Sequence, residues 1–237
     1  TEMSDCMSHG DTTGFKRHLN LGLRTTCLLI IPMASMLFVC SDELIGLYTA
    51  GKFTAADIQP IAELLRGWAF ALPLYACYMF VYRAYSSLKD LKTVAICNLV
   101  LTFVQVMLYM VFTGVIAIPG FSSLGLVGIA CGDIVFYGLM LVALLYIMRK
   151  RMGAFGFGQL GIACVKVIVA SVIGGAIAEL ASWGVAGIVD ISNILGSFIA
   201  LVITGAIGLA IIFALCRILG VSEVTSVVRR LARRLKR

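Results

Sequence analysis

The sequence predicts an all-α integral membrane protein with about six transmembrane helices. Two observations carry this. The 237 residues are 61% hydrophobic and 13% charged with a mean hydropathy of +1.03, whereas soluble domains carry about 25% charged residues. Six apolar stretches also reach the roughly 20 residues that a helix needs to cross a hydrocarbon core of about 30 Å. They run over Leu21–Leu47, Ile61–Val81, Val94–Ile118, Leu124–Met148, Leu160–Trp183 and Ile191–Leu219. Only helices or closed barrels satisfy every backbone polar group in lipid, and runs of this length without a period of two select helices.

The N-terminal stretch TEMSDCMSHGDTTGFKRHLNLGLR is polar and amphipathic, with no initiator Met and no cleavable leader pattern, as expected of a chain entered midway. The expected organisation is a cytoplasmic lead over 1–24, four spans over 25–149, two additional spans over 150–219 and a basic tail over 220–237. Longer connections fall at TAGKFTAADIQP and MRKRMGAFGFGQ. Nothing between the spans is large enough for a soluble domain.

Charge sets the expected orientation. With the N-terminal segment inside, Lys16, Arg17, Arg24, Arg83, Lys89, Lys92, Arg149, Lys150, Arg151 and the tail share one side, leaving Lys52 and Arg66 on the other. Lys166, inside the fifth span, snorkels to the basic side. The asymmetry places both termini in the cytoplasm, so the net charge of +7 is a topology signal and not a nucleic-acid signal. In the tail, Val221, Val224, Val228, Leu231 and Leu235 recur at helical spacing between Arg229, Arg230, Arg233 and Arg234. That pattern predicts an amphipathic helix on anionic membrane lipid.

The eight cysteines show no CxxC pair and no clustering with His9 or His18, so they are expected to serve as small apolar residues. No nucleophile and base pair, zinc motif or phosphate loop is present, and the sequence is not expected to be an enzyme.

The exception inside the apolar stretches is Asp133, within GLVGIACGDIVFYGLMLVALL (Gly125–Leu145). Intramembrane acids mark ion and proton pathways. In the third span Asn98, Thr102 and Gln105 share one face by their i, i+4, i+7 spacing. At 1.5 Å per residue, Thr102 lies about 14 Å from one end of its helix and Asp133 about 15 Å from the opposite end of the next, near one level. Gly128 and Gly132 allow a neighbouring backbone to approach Asp133 closely. Asn98, Thr102 and Asp133 are therefore expected to form a midplane site for a coupling ion, sodium or a proton; the alternative is that Asp133 is protonated and simply hydrogen-bonds to a neighbouring helix. Gln105 is expected to serve as interhelical glue.

The order of motifs resembles the MurJ (MviN) family: the basic lead with Arg24, LIGLYTAGKF (Leu44–Phe53), RAYSSLKDLKT (Arg83–Thr93), Asn98 opening the third span, and GLVGIACGD (Gly125–Asp133). These are lipid II flippases of the multidrug, oligosaccharidyl-lipid and polysaccharide exporter superfamily. The resemblance implies the C-terminal part of a 14-helix, two-lobe transporter of the bacterial cytoplasmic membrane. It further implies alternating access and an undecaprenyl-linked cell-wall precursor as cargo. The N-terminal lobe of the same protein is the missing partner, and no cofactor is implied beyond the coupling ion. Another exporter of the superfamily or a non-transporting scaffold are the alternatives.

Some members are similar in a sodium site that, aligned here, puts an Asn at Asn98, an acid at Thr102, a carbonyl at Ile129 and a Thr at Asp133. Acid and hydroxyl are exchanged between the two helices in this sequence. The family also implies a groove for the lipid tail beside the last two spans. VIVASVIGGAIA (Val167–Ala178) and ITGAIGLAII (Ile203–Ile212) fit either that groove or ordinary packing.

Overall fold

The computed structural model describes residues 2–47, 55–116, 123–153, 157–186 and 194–220. Among them the chain forms eight helices: α1 Glu2–Ser8, α2 Thr12–Val39, α3 Ser41–Gly46, α4 Ala55–Ser87, α5 Leu91–Phe112, α6 Val127–Met152, α7 Phe157–Ala186 and α8 Ile194–Ile218. Six contain segments long and apolar enough to cross a membrane: Thr12–Val39, Gln59–Ser87, Leu91–Phe112, Val127–Met152, Leu160–Gly184 and Leu195–Ile218. The all-α membrane architecture expected from hydropathy is present. The tail with Arg229, Arg230, Arg233 and Arg234 lies outside the described residues.

The first span differs most from expectation. Helix α2 begins at Thr12, because Asp11 accepts the Gly14 amide at 2.8 Å and so satisfies an amide that the first turn leaves unpaired. The boundary expected between residues 24 and 25 thus falls inside a continuous helix. The same helix stops at Val39, and a separate short helix, α3, follows Cys40. The third span also ends earlier than expected, at Phe112, where the Thr113 hydroxyl turns back to the Tyr109 carbonyl at 2.6 Å.

The described residues group into two compact units, one drawn from Thr1–Cys27 and Phe70–Gly161, the other from Leu28–Ala69 and Ile162–Arg237. Helices α2 and α4 contribute to both, so packing divides the chain differently from a division span by span.

In the first unit α2 buries Phe15, Leu19 and Leu23, and α6 buries Phe136, Met140, Leu144 and Met148. Both sets recur every four residues, the spacing that keeps side chains on one helical face. Gly22 lies against the Phe80 ring, where a Cβ would overlap it. Tyr85, 1% exposed, donates its hydroxyl to the Leu144 carbonyl at 2.8 Å, tying α4 to α6. Cys27 and Cys77, both buried and fifty positions apart in the chain, meet with sulfurs 3.5 Å apart.

The second unit packs Leu28, Met36, Val39 and Cys40 against Val167, Ala170 and Ala178 of α7 and Ile212 and Cys216 of α8. Small residues let the helices approach, as membrane helix packing requires. A Cβ at Gly174 would meet the Ile212 side chain at 2.3 Å and its backbone at 3.3 Å, and one at Gly208 would meet Met36 Sδ at 2.3 Å. The glycines of the last two spans therefore serve helix packing at these positions. Lys166 donates to the Leu219 carbonyl at 2.9 Å. Its ammonium thus reaches a carbonyl just past the C-terminus of α8, where a cation is favoured.

Candidate functional site

The polar residues of α5 lie along one face of that helix, in the first unit. Thr102 donates its hydroxyl to Asn98 Oδ1 at 3.3 Å, one turn back, and Tyr78 of α4 lies beside Asn98. One turn beyond Thr102 stands Gln105, and one turn beyond that Tyr109. Gln105 Nε2 donates to Tyr109 Oη at 2.7 Å and to Asp133 Oδ1 at 2.9 Å. The Tyr109 hydroxyl donates to the same carboxylate oxygen. Of the four residues expected at one site, Asn98 and Thr102 bond to each other, while Asp133 bonds to Gln105 and Tyr109. Ile129 sits near the start of α6, its amide bonded to the Leu126 carbonyl at 3.1 Å.

Helix α6 comes close enough for this pairing because two of its residues lack side chains. A Cβ at Gly128 would lie 2.7 Å from the carbonyl carbon and oxygen of Phe112, and one at Gly132 would lie 2.6 Å from the Tyr109 ring. Gly132 precedes Asp133 directly, so the seat for the tyrosine ring and the acid that its hydroxyl binds are adjacent in the chain. Around the acid, Tyr137 of α6 packs edge-on to Tyr75 of α4, with ring centroids 5.0 Å apart, and tilted against Tyr78 at 5.9 Å.

Tyr109 is the residue that hydropathy misses. Its apolar ring counts towards the span and conceals the hydroxyl. The available signal was its i, i+4 spacing from Gln105, which puts both on one helical face. Among the described residues, no group of three or more His, Cys, Asp or Glu side chains is arranged to hold a metal ion. The groups brought to Asp133 include an amide and a phenol, both donating hydrogen to the carboxylate.

Two charged clusters are built on acids outside the spans, Asp90 in one and Asp42 with Glu43 in the other. Asp90 caps α5, accepting from the Thr93 hydroxyl at 2.7 Å and pairing with Arg151, which also reaches Thr93 Oγ1 at 3.1 Å. The Thr93 hydrogen bond and the Arg151 guanidinium hold its carboxyl below the usual range. In the second unit Glu43 of α3 is 6% exposed beside Asp42, which pairs with Arg66 of α4. Burial pushes the Glu43 carboxyl up, Asp42 and Glu179 add to this, and its own backbone and Arg66 oppose it.

The family model for the lipid II flippase MurJ matches residues 1–198, which include the whole Asp133 cluster. The chain belongs to the MurJ lipid II flippase family. Curated relatives, each described as a probable lipid II flippase MurJ, include one from Borreliella burgdorferi, 25% identical over 131 residues, and one from Bdellovibrio bacteriovorus, 27% identical over 139 residues. The matches cover 55% and 58% of this chain but 24% and 27% of those proteins, so the chain spans about a quarter of the curated relatives it matches. A third, from Buchnera aphidicola, is 30% identical over 92 residues. A solved structure of the lipid II flippase MurJ in an inward closed conformation superposes with a TM-score of 0.62 at 20% identity, covering 87% of this chain and 40% of that one. That likeness shows the MurJ fold over most of the chain.

Proposed function

We propose that this chain is part of a lipid II flippase, moving the undecaprenyl-linked peptidoglycan precursor across the bacterial cytoplasmic membrane by alternating access. The match of the MurJ family over residues 1–198 carries the reading. The matched regions are a minor share of the relatives' length, and alternating access needs a second lobe for this one to move against. The activity therefore belongs to a longer chain. In that chain Asp133 is the acid through which an ion couples to the lobe's conformation, because an intramembrane carboxylate is costly unless it serves a pathway or a partner. Restoring growth and cell shape to bacteria depleted of their own lipid II flippase tests the cargo. Rescue by the complete protein supports lipid II, and failure at normal membrane expression points to another exporter cargo or a scaffold.

The Lys/Arg asymmetry supports cytoplasmic termini. In a background without reactive cysteines, an impermeant thiol reagent added from outside should label Lys52→Cys and spare Lys89→Cys; the reverse pattern would invert the orientation. The basic tail is proposed to lie on the inner leaflet. A peptide of residues 220–237 should become helical on anionic vesicles at low salt, and one that stays unstructured there would remove the idea.

A further inference from the structure

Asp133, Gln105 and Tyr109 close a triangle of hydrogen bonds. Gln105 Nε2 donates to Tyr109 Oη at 2.7 Å and to Asp133 Oδ1 at 2.9 Å, and the Tyr109 hydroxyl donates to that same oxygen. The local sequence is shaped to hold it. Gln105 and Tyr109 are four residues apart on α5 and so share a face. Gly132 leaves the space that the tyrosine ring occupies, since a Cβ there would fall 2.6 Å from Cδ1 and Cε1.

The direction of these bonds decides what the carboxylate can bind. A hard cation is held by several oxygen lone pairs converging on one point. Here two hydrogens converge on Oδ1, and their partial positive charge repels a cation placed among them. The same donors favour the charged carboxylate over the acid, but a proton, unlike a cation, needs one oxygen lone pair and no converging set of them. When Asp133 takes one up, its carboxylate becomes a carboxylic acid whose O–H donates to Tyr109 Oη or Gln105 Oε1. The Tyr109 hydroxyl can turn from donor to acceptor in place, whereas Gln105 accepts only after its amide turns over to present Oε1. The carboxylate is hydrogen-bonded when charged and the acid when neutral, which keeps the desolvation cost of either form low. The reaction adds one proton to one carboxylate oxygen and requires no other reactant.

We infer that Asp133, held by Tyr109 and Gln105, is a proton-binding site and not an alkali-cation site, and that Tyr109 is the positioning residue that sets this preference. This rests on Asp133 being the coupling acid proposed above and names its ion. The titratable groups facing it include Tyr109 from α5 and Tyr137 one turn along α6, and Tyr75 and Tyr78 of α4 pack on Tyr137. The phenols supply hydroxyl groups able to donate and accept, as a protonation site requires.

The test is infrared difference spectroscopy of the complete protein in detergent, acid minus neutral, with choline or sodium as the only cation. A protonated-carboxyl band should be present in the parent, lost in Asp133→Asn, shifted in Tyr109→Phe through loss of its hydrogen-bond partner, and identical in the two salts. A band unchanged in Asp133→Asn overturns the inference. So does a thermal midpoint that sodium raises in the parent but not in Asp133→Asn. If Asp133→Asn does not fold, Tyr109→Phe decides, and a band identical to the parent's overturns the role of Tyr109. Neither readout involves cargo, so failure of the rescue experiment would overturn the lipid II reading alone.

Discussion

The two units answer the same apolar solvent in different ways. In the first, polar bonds cross between helices: Asp133 to Gln105 and Tyr109, Tyr85 to the Leu144 carbonyl, Asp90 to Arg151. In the second, the core is close contact between small and aliphatic groups, with Gly174 against Ile212 and Gly208 against Met36. Polar bonds cross between its helices as well, from Ser35 to the Ser171 carbonyl and from Lys166 to the Leu219 carbonyl, both at 2.9 Å, but both end on backbone and not on an acid. Lipid gives apolar side chains no hydrophobic reason to associate, so membrane helices are held by packing, hydrogen bonds or both. The proposed proton site lies in the first unit, and the glycine contacts at Gly174 and Gly208 lie in the second.

The comparison can be broken with glycines. Gly128→Ala drives a methyl into the Phe112 backbone, which cannot rotate away, and Gly174→Ala drives one into Ile212. Each should lower stability by about 1–3 kcal/mol, the usual cost of overpacking, read as a lower midpoint in thermal unfolding of the complete protein. Only Gly128→Ala should also alter the infrared band of Asp133, because it parts α6 from the helix that bears Gln105 and Tyr109. Equal spectral effects from both variants would erase the distinction between the units.

A smaller effect is expected in the second unit at Glu43. Burial raises its carboxyl above the usual range, so the folded state holds this proton more tightly than the unfolded chain does. Stability associated with Glu43 is present at low pH and is lost as pH rises through the interval between the unfolded and the raised folded values. Glu43→Gln removes that loss. The variant should unfold at a modestly higher temperature than the parent at neutral pH, with the difference vanishing in acid. A variant less stable than the parent at neutral pH would show that the charged form makes a favourable contact.

Much of this architecture was legible in the sequence because lipid imposes a crude and strong rule. Six long apolar runs could only be helices, and Asp133 stood out because its side chain contradicted its surroundings. Gly128 and Gly132 were likewise visible as a surface for close approach. What escaped was information that hydropathy does not encode. Helix α2 extends nine residues ahead of the expected Leu21 because Asp11 caps polar residues that form a helix without adding hydrophobicity. Glu43 looks like a loop acid by composition, and its burial is a tertiary fact. The meeting of Cys27 with Cys77 depends on how α2 and α4 pack, which no local spacing reveals. The sequence placed Asp133 beside the third span, and side chains of α5 do bond to it. Equal depth pointed to Thr102 as the partner of Asp133, whereas the side chains that reach it stand one and two turns further along α5, at Gln105 and Tyr109.

The most direct test joins the acid to transport. The complete protein, reconstituted in vesicles with lipid II on one leaflet, is given a proton gradient at constant sodium, and the appearance of lipid II on the other leaflet is followed for the parent and for Asp133→Asn. The parent should translocate lipid II faster when the gradient is imposed, while Asp133→Asn, present at equal density, should show no response to it. Translocation by Asp133→Asn that rises with the gradient as the parent's does would contradict the account.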